Sequence, residues 1–197
     1  MKLLHLDAGI TGPGSASRQI SAALVEALTA ADPALEVTHR DLAAQPVEHL
    51  AGADLAGLAE NEVLLEFLDA DLLVIGAPMY NFGMPSQLKA WFDHILVSGR
   101  TFRYGPDGPE GLAGGKKAIV ASARGGAYAP GTTTAAWDFQ EPHLLHLLSF
   151  MGIDDVDLVR AEGLALGPEA REAALRDALM EAVNLGRGSP ARRVASH

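Results

Sequence analysis

A loop of small residues follows the first apolar run of the chain and has the composition of a phosphate-binding site. It covers residues 7–17 and holds three glycines ahead of Ser15 and Ser17. Glycines let a backbone approach an anion closely, and hydroxyls and the amides at a helix start supply donors. Serine stands where the G-x-G-x-x-G motif needs its third glycine and where a P-loop needs lysine. The loop predicts a site for a monophosphate ester; alternatively, Ser15 or Ser17 only caps the helix.

Two later loops carry groups suited to a flat heteroaromatic ligand. Residues 76–85 contain a sulfur, two aromatic rings and an amide where a turn into a helix is usually small and polar. Residues 122–126 end in the pair Gly125–Gly126, which permits close backbone approach. The alternatives are that Tyr80 and Phe82 cover the core and that the glycines form an ordinary turn.

Composition excludes several other kinds of chemistry. The 197 residues include no cysteine, so redox chemistry requires a bound cofactor. Of the seven histidines, His143 and His146 lie three apart on a predicted helix, but no third ligand lies nearby and we expect no metal site. The G-x-S-x-G motif of serine hydrolases does not occur in the sequence, which argues against that class of enzyme. The formal net charge of −10 argues against a nucleic-acid partner.

The elements that position these loops alternate between strand and helix. Apolar runs predict four buried strands at 3–6, 72–75, 118–121 and 156–159, and a weaker edge strand at 35–38. Helical spacing follows at 20–28, at about 85–98 with Pro85 in the first turn and Gly99 at the end, at 143–150, and at 169–185. Such alternation predicts an α/β, flavodoxin-like doubly wound sandwich with a five-stranded parallel sheet of order 2-1-3-4-5. Ligands of such sheets bind at the carboxyl ends of the strands, where the three loops lie.

The length of the chain predicts one domain, and its hydropathy predicts one cellular compartment. We expect a single domain over residues 1–186 and a loose tail without function over 187–197. No apolar stretch approaches the roughly 18–20 residues of a membrane span, and the start does not match a signal peptide. A cytoplasmic protein with no membrane partner is therefore expected.

Several motifs occur in an order typical of one enzyme family. They are PMYNF at 78–82, QLKAWFD at 87–93, TFRY at 101–104 with GPEGL at 108–112, RGG at 124–126, and QEP at 140–142 with FMGI at 150–153. Together they resemble the FMN-dependent NADH:quinone oxidoreductases that also act as azoreductases, a flavodoxin-like family. The resemblance covers essentially the whole chain.

The resemblance implies a cofactor, an activity and a set of site residues. It implies FMN, with the phosphate at Ser15, Ala16 and Ser17. It places the isoalloxazine beside Met79, Tyr80, Asn81 and Phe82, and the other polar edge of the ring at Ala123, Arg124, Gly125 and Gly126. Tyr104 and Phe150 are implied on the acceptor side, in a pocket shared by the two subunits of a homodimer. The implied reaction is a ping-pong transfer from NADH or NADPH to quinones and azo compounds.

Two departures and two alternatives accompany this interpretation. Ala8 and Ala123 stand where the family commonly has serine; the hydrogen bond absent at Ala8 implies FMN binding weaker by about 0.5–1.5 kcal/mol.

A flavodoxin-like electron carrier without its own acceptor pocket is the main alternative, and the acidity suits it. Against a carrier stand four aromatic residues outside the strands, Tyr104, Trp137, Phe139 and Phe150. A nucleotide-binding regulator without turnover is the third possibility.

Overall fold

A five-stranded parallel sheet forms the centre of the protein, in a computed structural model that describes residues 1–188. The strands are β1 (Lys2–Asp7), β2 (Glu36–Asp41), β3 (Leu72–Pro78), β4 (Phe102–Gly105), β5 (Gly108–Gly111), β6 (Lys117–Ala123) and β7 (Asp155–Ala161). The sheet order is β2-β1-β3-β6-β7, all parallel, which confirms the predicted flavodoxin-like fold and strand order. β2 is an edge strand, as its alternating pattern predicts.

Five α-helices connect the strands: α1 (Ala16–Ala31), α2 (Glu62–Asp69), α3 (Ser86–Ile95), α4 (Glu141–Phe150) and α5 (Pro168–Gly186). Pro85 precedes α3 and does not belong to its first turn, and the helix ends at Ile95, before the predicted stop at Gly99. α2 was not predicted. Its start is fixed by Asn61, whose side-chain oxygen accepts the N–H of Leu64 at 2.9 Å.

β4 and β5 form a separate antiparallel hairpin that the sequence pattern did not predict. Gly108–Gly111 has the sequence GPEG, which lacks the apolar alternation of a half-buried strand. Its two strands pair Phe102 with Gly111 and Tyr104 with Pro109. Its consequence for the site is that Tyr104 is held outside the main sheet.

Apolar side chains cover both faces of the sheet, as a doubly wound fold requires. All seven residues of β3 are buried because β3 lies in the middle of the sheet. One face packs against α2, α3 and α4 through side chains such as Phe67, Trp91 and Leu144. The other packs against α1 and α5 through Ile20, Leu24 and Leu185.

α5 packs tightly on α1 and reaches the loop in front of it. A Cβ on Gly186 would lie 2.6 Å from the Cβ of Ala27, so the absence of a side chain permits this approach. Arg171 donates from Nη2 to the carbonyl oxygen of Gly14 at 3.1 Å. The predicted loose tail lies outside the described residues from position 189 onward; Arg187 and Gly188 form a turn.

Within residues 1–188, no helix combines the length and the apolar character needed to cross a membrane.

Candidate functional site

The hydroxyl groups of Ser15 and Ser17 lie together in the loop that follows β1. Their Oγ atoms are 3.0 Å apart, and both residues are buried. Ser15 occupies the N-cap position of α1, but its side chain accepts no hydrogen bond from the helix backbone. The alternative that Ser15 only caps the helix is therefore disfavoured, because the capping hydrogen bond is absent. Two adjacent hydroxyls are presented at the positive end of the helix dipole.

Backbone donors and a required glycine complete this loop. The first amides of α1, at Ala16, Ser17 and Arg18, find no carbonyl acceptor within residues 1–188, as expected at a helix start. A Cβ on Gly9 would lie 2.3 Å from Ser15 Oγ and 2.9 Å from Ser15 Cβ. Only glycine lets the backbone pass so near that hydroxyl. Hydroxyls, free amides and a glycine at close range are the donor set that a phosphate needs.

Arg18 holds the loop that follows β1 in place, and the sequence pattern did not single it out. Its Nε donates to the Gly9 carbonyl oxygen at 2.7 Å, and its Nη1 donates to Asp41 Oδ2 at 2.8 Å. The hydrogen bond from Arg18 holds the pKa of Asp41 well below its ordinary value; burial opposes this shift and the amides of Ala44 and Ala43 add to it. The ion pair therefore joins the phosphate loop to the end of β2.

A tight two-residue turn holds the loop that follows β3. Tyr80 and Gly83 exchange backbone hydrogen bonds of 2.9 and 3.0 Å. Between them, Asn81 has φ 48° and Phe82 has φ 69°, the signs of a type I′ turn. Asparagine tolerates this left-handed conformation, whereas for phenylalanine it is strained. A strained aromatic residue held at a strand end indicates a functional position.

Hydrogen bonds join this turn to both neighbouring loops. The Tyr80 hydroxyl accepts the N–H of Ile10 at 3.0 Å. The N–H of Met79 donates to the carbonyl oxygen of Ala123 at 2.8 Å. The loops after β1, β3 and β6 consequently form one connected surface at the carboxyl edge of the sheet.

Exposed aromatic rings surround Phe82. Its ring meets Tyr128 and Trp137 edge to face, with centroids 6.1 and 5.9 Å apart, and its carbonyl oxygen accepts the N–H of Phe139 at 3.0 Å. Phe82 is 44% exposed, so it does not serve to cover the core. Trp137 and Phe139 are also exposed. Flat apolar surface of this kind suits stacking with ring-shaped ligands.

Arg124 lies inside the protein and not on this surface. Its side chain is fully buried, and its Nη1 lies 3.0 Å from Asp138 and 3.1 Å from Glu162, while Nη2 faces Glu141 as an ion pair. Nε also donates to the Ser122 hydroxyl at 3.2 Å. The side chain therefore fixes the ends of β6, β7 and α4 relative to one another.

The two residues after Arg124 present backbone groups. Gly125 and Gly126 accept hydrogen bonds at their carbonyl oxygens from Ala165 and Gly163. Their own N–H groups have no acceptor among residues 1–188. Two free amides beside the β3 loop can donate to the polar edge of a planar ligand.

Tyr104 and Phe150, the predicted acceptor-side residues, share a partner. Phe102 lies between them, with ring centroids 5.6 Å from Tyr104 and 4.8 Å from Phe150. Tyr104 is 74% exposed. No ring contact joins this group to Phe82 within residues 1–188, so a single chain holds two separate aromatic groups.

A polar cluster at the end of β1 is a further feature that the linear sequence did not reveal. Asp7 accepts from Ser21 at 3.0 Å and lies 3.1 Å from His39 Nε2. Burial opposes ionisation of Asp7, but the nearby His5, together with hydrogen bonds from His39 and Ser21, outweighs it and lowers the pKa of Asp7. His5 and Asp7, two apart on one strand, point to the same face, and this spacing is the signal that could have revealed the cluster.

A groove of the surface lies elsewhere, along the outer side of α5. It is lined by residues of that helix such as Leu175, Leu179 and Val183, together with Arg187 after it. The groove is lined by α5 and the turn after it alone, whereas the loops at the strand ends bring together donors from three parts of the sheet. We therefore place the candidate site at the connected loops.

Comparison with known proteins shows what the chain is similar to. A family model described as flavodoxin-like fold matches residues 1–185. The FMN-dependent NADH:quinone oxidoreductase of Methylorubrum extorquens (strain PA1) is 53% identical over 200 residues, covering 94% of this chain and 98% of its own. FMN-dependent NADH:quinone oxidoreductase 2 of Bradyrhizobium diazoefficiens is 50% identical, with the same coverage. The crystal structure of azoreductase from Bacillus anthracis str. Sterne matches with a TM-score of 0.88 at 26% identity, covering 96% of this chain and 100% of that one.

Proposed function

Because the chain belongs to the flavodoxin-like family of FMN-dependent NADH:quinone oxidoreductases, as its motifs predict, we propose that it binds FMN and reduces quinones and azo compounds with NADH or NADPH. The observation that carries this proposal is the union of three loops at the carboxyl edge of the sheet. Tyr80 joins the first two, and the bond from Met79 to Ala123 joins the third. Relatives named as enzymes make an electron carrier the weaker alternative.

The residues at the start of α1 fit the phosphate of FMN. Ser15 and Ser17 offer hydroxyls, and Ala16 offers an amide at the positive end of the helix. Ala8, where a serine could have added a donor, is fully buried among apolar side chains. The phosphate would therefore be held by the start of α1 and not by Ala8.

The other two loops fit the ring system. Met79 through Phe82 would line one side of the ring, and the amides of Gly125 and Gly126, which have no acceptor among residues 1–188, would donate to a polar edge. The chemistry supplied by bound FMN is two-electron transfer from the nicotinamide to the acceptor, in a ping-pong cycle. The chain itself positions flat rings and provides fixed backbone dipoles, so no side chain need act as acid or base.

A homodimer completes this proposal. Tyr104 is largely exposed and lies on a hairpin outside the main sheet, and Phe102 of the same hairpin contacts the partly exposed Phe150. Exposed aromatic side chains held on a rigid hairpin are typical of an interface. Tyr104 and Phe150 would then line the acceptor side of a site in a second subunit. Sedimentation of the wild type and of Tyr104→Asp checks this, since a stable monomer in both would contradict it.

The central test is anaerobic reduction of the purified protein. NADH should bleach the visible flavin absorption, and a quinone added afterwards should restore it with one quinol formed per nicotinamide consumed. Scission of an azo bond to two amines should consume two nicotinamides. A yellow protein that NADH leaves oxidised would refute the oxidoreductase and favour the carrier.

Matched variants locate the cofactor in the same experiment. The double change Ser15→Ala and Ser17→Ala should lower the FMN content of the purified protein. Ser98→Ala, at an exposed position, should leave it unchanged. Equal FMN content in both variants would show that the phosphate does not bind at the start of α1.

A further inference from the structure

Three side chains with metal-binding groups meet across β1 and β2. His5 and Asp7 are two apart on β1 and so point to the same face of the sheet, and His39 of β2 is the direct register partner of His5. One ligand atom from each of the three side chains lies within 4.8 Å of the other two. Sequence spacing hides this set because His5 and His39 lie 34 positions apart in the chain.

The distances are close to those of a tetrahedral centre. Asp7 Oδ2 lies 3.1 Å from His39 Nε2 and 3.6 Å from His5 Nε2. Ligands bound to zinc at about 2.0–2.1 Å in a tetrahedron are separated by roughly 3.3–3.4 Å. The two imidazole rings are tilted by 33° with centroids 4.6 Å apart, so they do not block each other. All three ligand atoms lie within 4.8 Å of one another, so a contraction of the cluster would bring them to one ion.

His5 Nε2 is a buried polar atom without a partner. His5 is 7% exposed, and this nitrogen has no hydrogen bond among the described residues. Such a group normally costs stability unless something satisfies it. His39, with a side chain 47% exposed, borders the same space and leaves a route from solvent.

The surrounding charges favour a cation. Arg18 Nη1 lies 3.6 Å from Asp7 Oδ2, but the same guanidinium is engaged by Asp41 and by the Gly9 carbonyl oxygen. With neutral imidazoles, the three formal charges of Asp7, Asp41 and Arg18 sum to −1. Ser21 holds the other Asp7 oxygen and so orients the carboxylate, as outer hydrogen bonds do around metals. Gly76 leaves the necessary room, because a Cβ there would lie 2.6 Å from Asp7 Oδ1.

We propose that His5, Asp7 and His39 form a binding site for one divalent transition-metal ion, preferentially Zn²⁺. Two imidazoles and one carboxylate suit zinc and its neighbours, whereas Mg²⁺ and Ca²⁺ select oxygen ligands. A water molecule supplies the fourth position. The site is separate from the ring-binding surface, although Asp7 ends the strand that leads into the phosphate loop.

Calorimetry of the chelator-treated flavoprotein with Zn²⁺ tests this inference. The wild type should bind one ion per chain, and Mg²⁺ should not compete. His39→Gln and Asp7→Asn should each weaken binding at least tenfold. His143→Gln is the matched control, since His143 is exposed on α4 and outside the cluster; it should bind as the wild type does.

Thermal unfolding supplies a second readout that does not depend on activity. Zn²⁺ should raise the Tm of the wild type and of His143→Gln, and should not raise that of His39→Gln. His39→Gln changes a half-exposed side chain, so it keeps the test valid if Asp7→Asn does not fold. Zinc affinity equal in all three proteins, or no wild-type binding, would overturn the inference.

Discussion

The Tyr80 hydroxyl accepts the N–H of Ile10 at 3.0 Å and thereby ties the turn after β3 to the phosphate loop. Removing it in Tyr80→Phe costs one neutral hydrogen bond, about 0.5–1.5 kcal/mol. We expect the Kd for FMN to rise about two- to tenfold, because the proposed site uses one loop for the phosphate and the other for the ring system. Titration of apoprotein with FMN measures this. An unchanged Kd would mean that the loops are positioned independently.

A methyl group at Gly9 should damage the phosphate site, whereas one at Gly14 should not. The Cβ of Gly9→Ala would displace the Ser15 hydroxyl, while a Cβ on Gly14 meets nothing within 4 Å. Loss of a hydrogen bond to a charged phosphate is worth about 1.5–3 kcal/mol, so FMN binding to Gly9→Ala should weaken about tenfold or more. Equal affinities of the two alanine variants would place the phosphate elsewhere.

Phe82 offers a direct measurement of backbone strain. Phe82→Ala and Phe82→Gly remove the same ring, but only glycine adopts the φ of 69° without steric cost. We expect Phe82→Gly to be more stable than Phe82→Ala by roughly 0.5–1 kcal/mol, after the greater freedom of glycine in the unfolded chain is subtracted. Urea unfolding of both variants compares them. A more stable alanine variant would argue against the type I′ turn.

Arg124 should be a determinant of stability. Replacing it in Arg124→Met leaves Asp138, Glu141 and Glu162 without their shared cation, and breaking such a buried pair costs about 3–5 kcal/mol. The control is Arg103→Met, whose pair with Glu110 is exposed and should not contribute measurably. Urea unfolding distinguishes the two. A small loss for Arg124→Met would show that the three carboxylates find other partners.

Acid should destabilise the protein partly through Asp41. Because Arg18 lowers the pKa of Asp41 in the folded state, the unfolded chain takes up this proton first, near its ordinary pKa of about 3.9. The stabilisation is therefore complete above about pH 4 and is lost as the pH falls further. Asp41→Asn should be less stable than the wild type at neutral pH, and the difference should shrink in acid. Urea midpoints across this range provide the measurement.

The sequence predicts the sheet and the three loops better than it predicts the contacts between them. Strand lengths and apolar content are local properties, so the five strands follow from the local pattern, while their order follows from the alternation of strand and helix along the chain. α2 was missed although Asn61 and the apolar spacing after it are typical of a helix start. The burial of the Arg124 side chain could not be predicted, because its acidic partners come from β7, α4 and the loops around them. The same holds for the cluster of His5 and His39, which only strand pairing brings together.

The packing of α5 on α1 has a consequence for synthesis of the chain. A ribosome releases the phosphate loop and α1 early, but α5 leaves it after every strand of the sheet. Until then the apolar side of α1, including Ile20 and Leu24, lacks part of its cover. The residues of the proposed phosphate site are thus synthesised long before α5 is available to pack against α1. We therefore expect the proposed cofactor site to become firmly positioned only when nearly the whole chain has been synthesised.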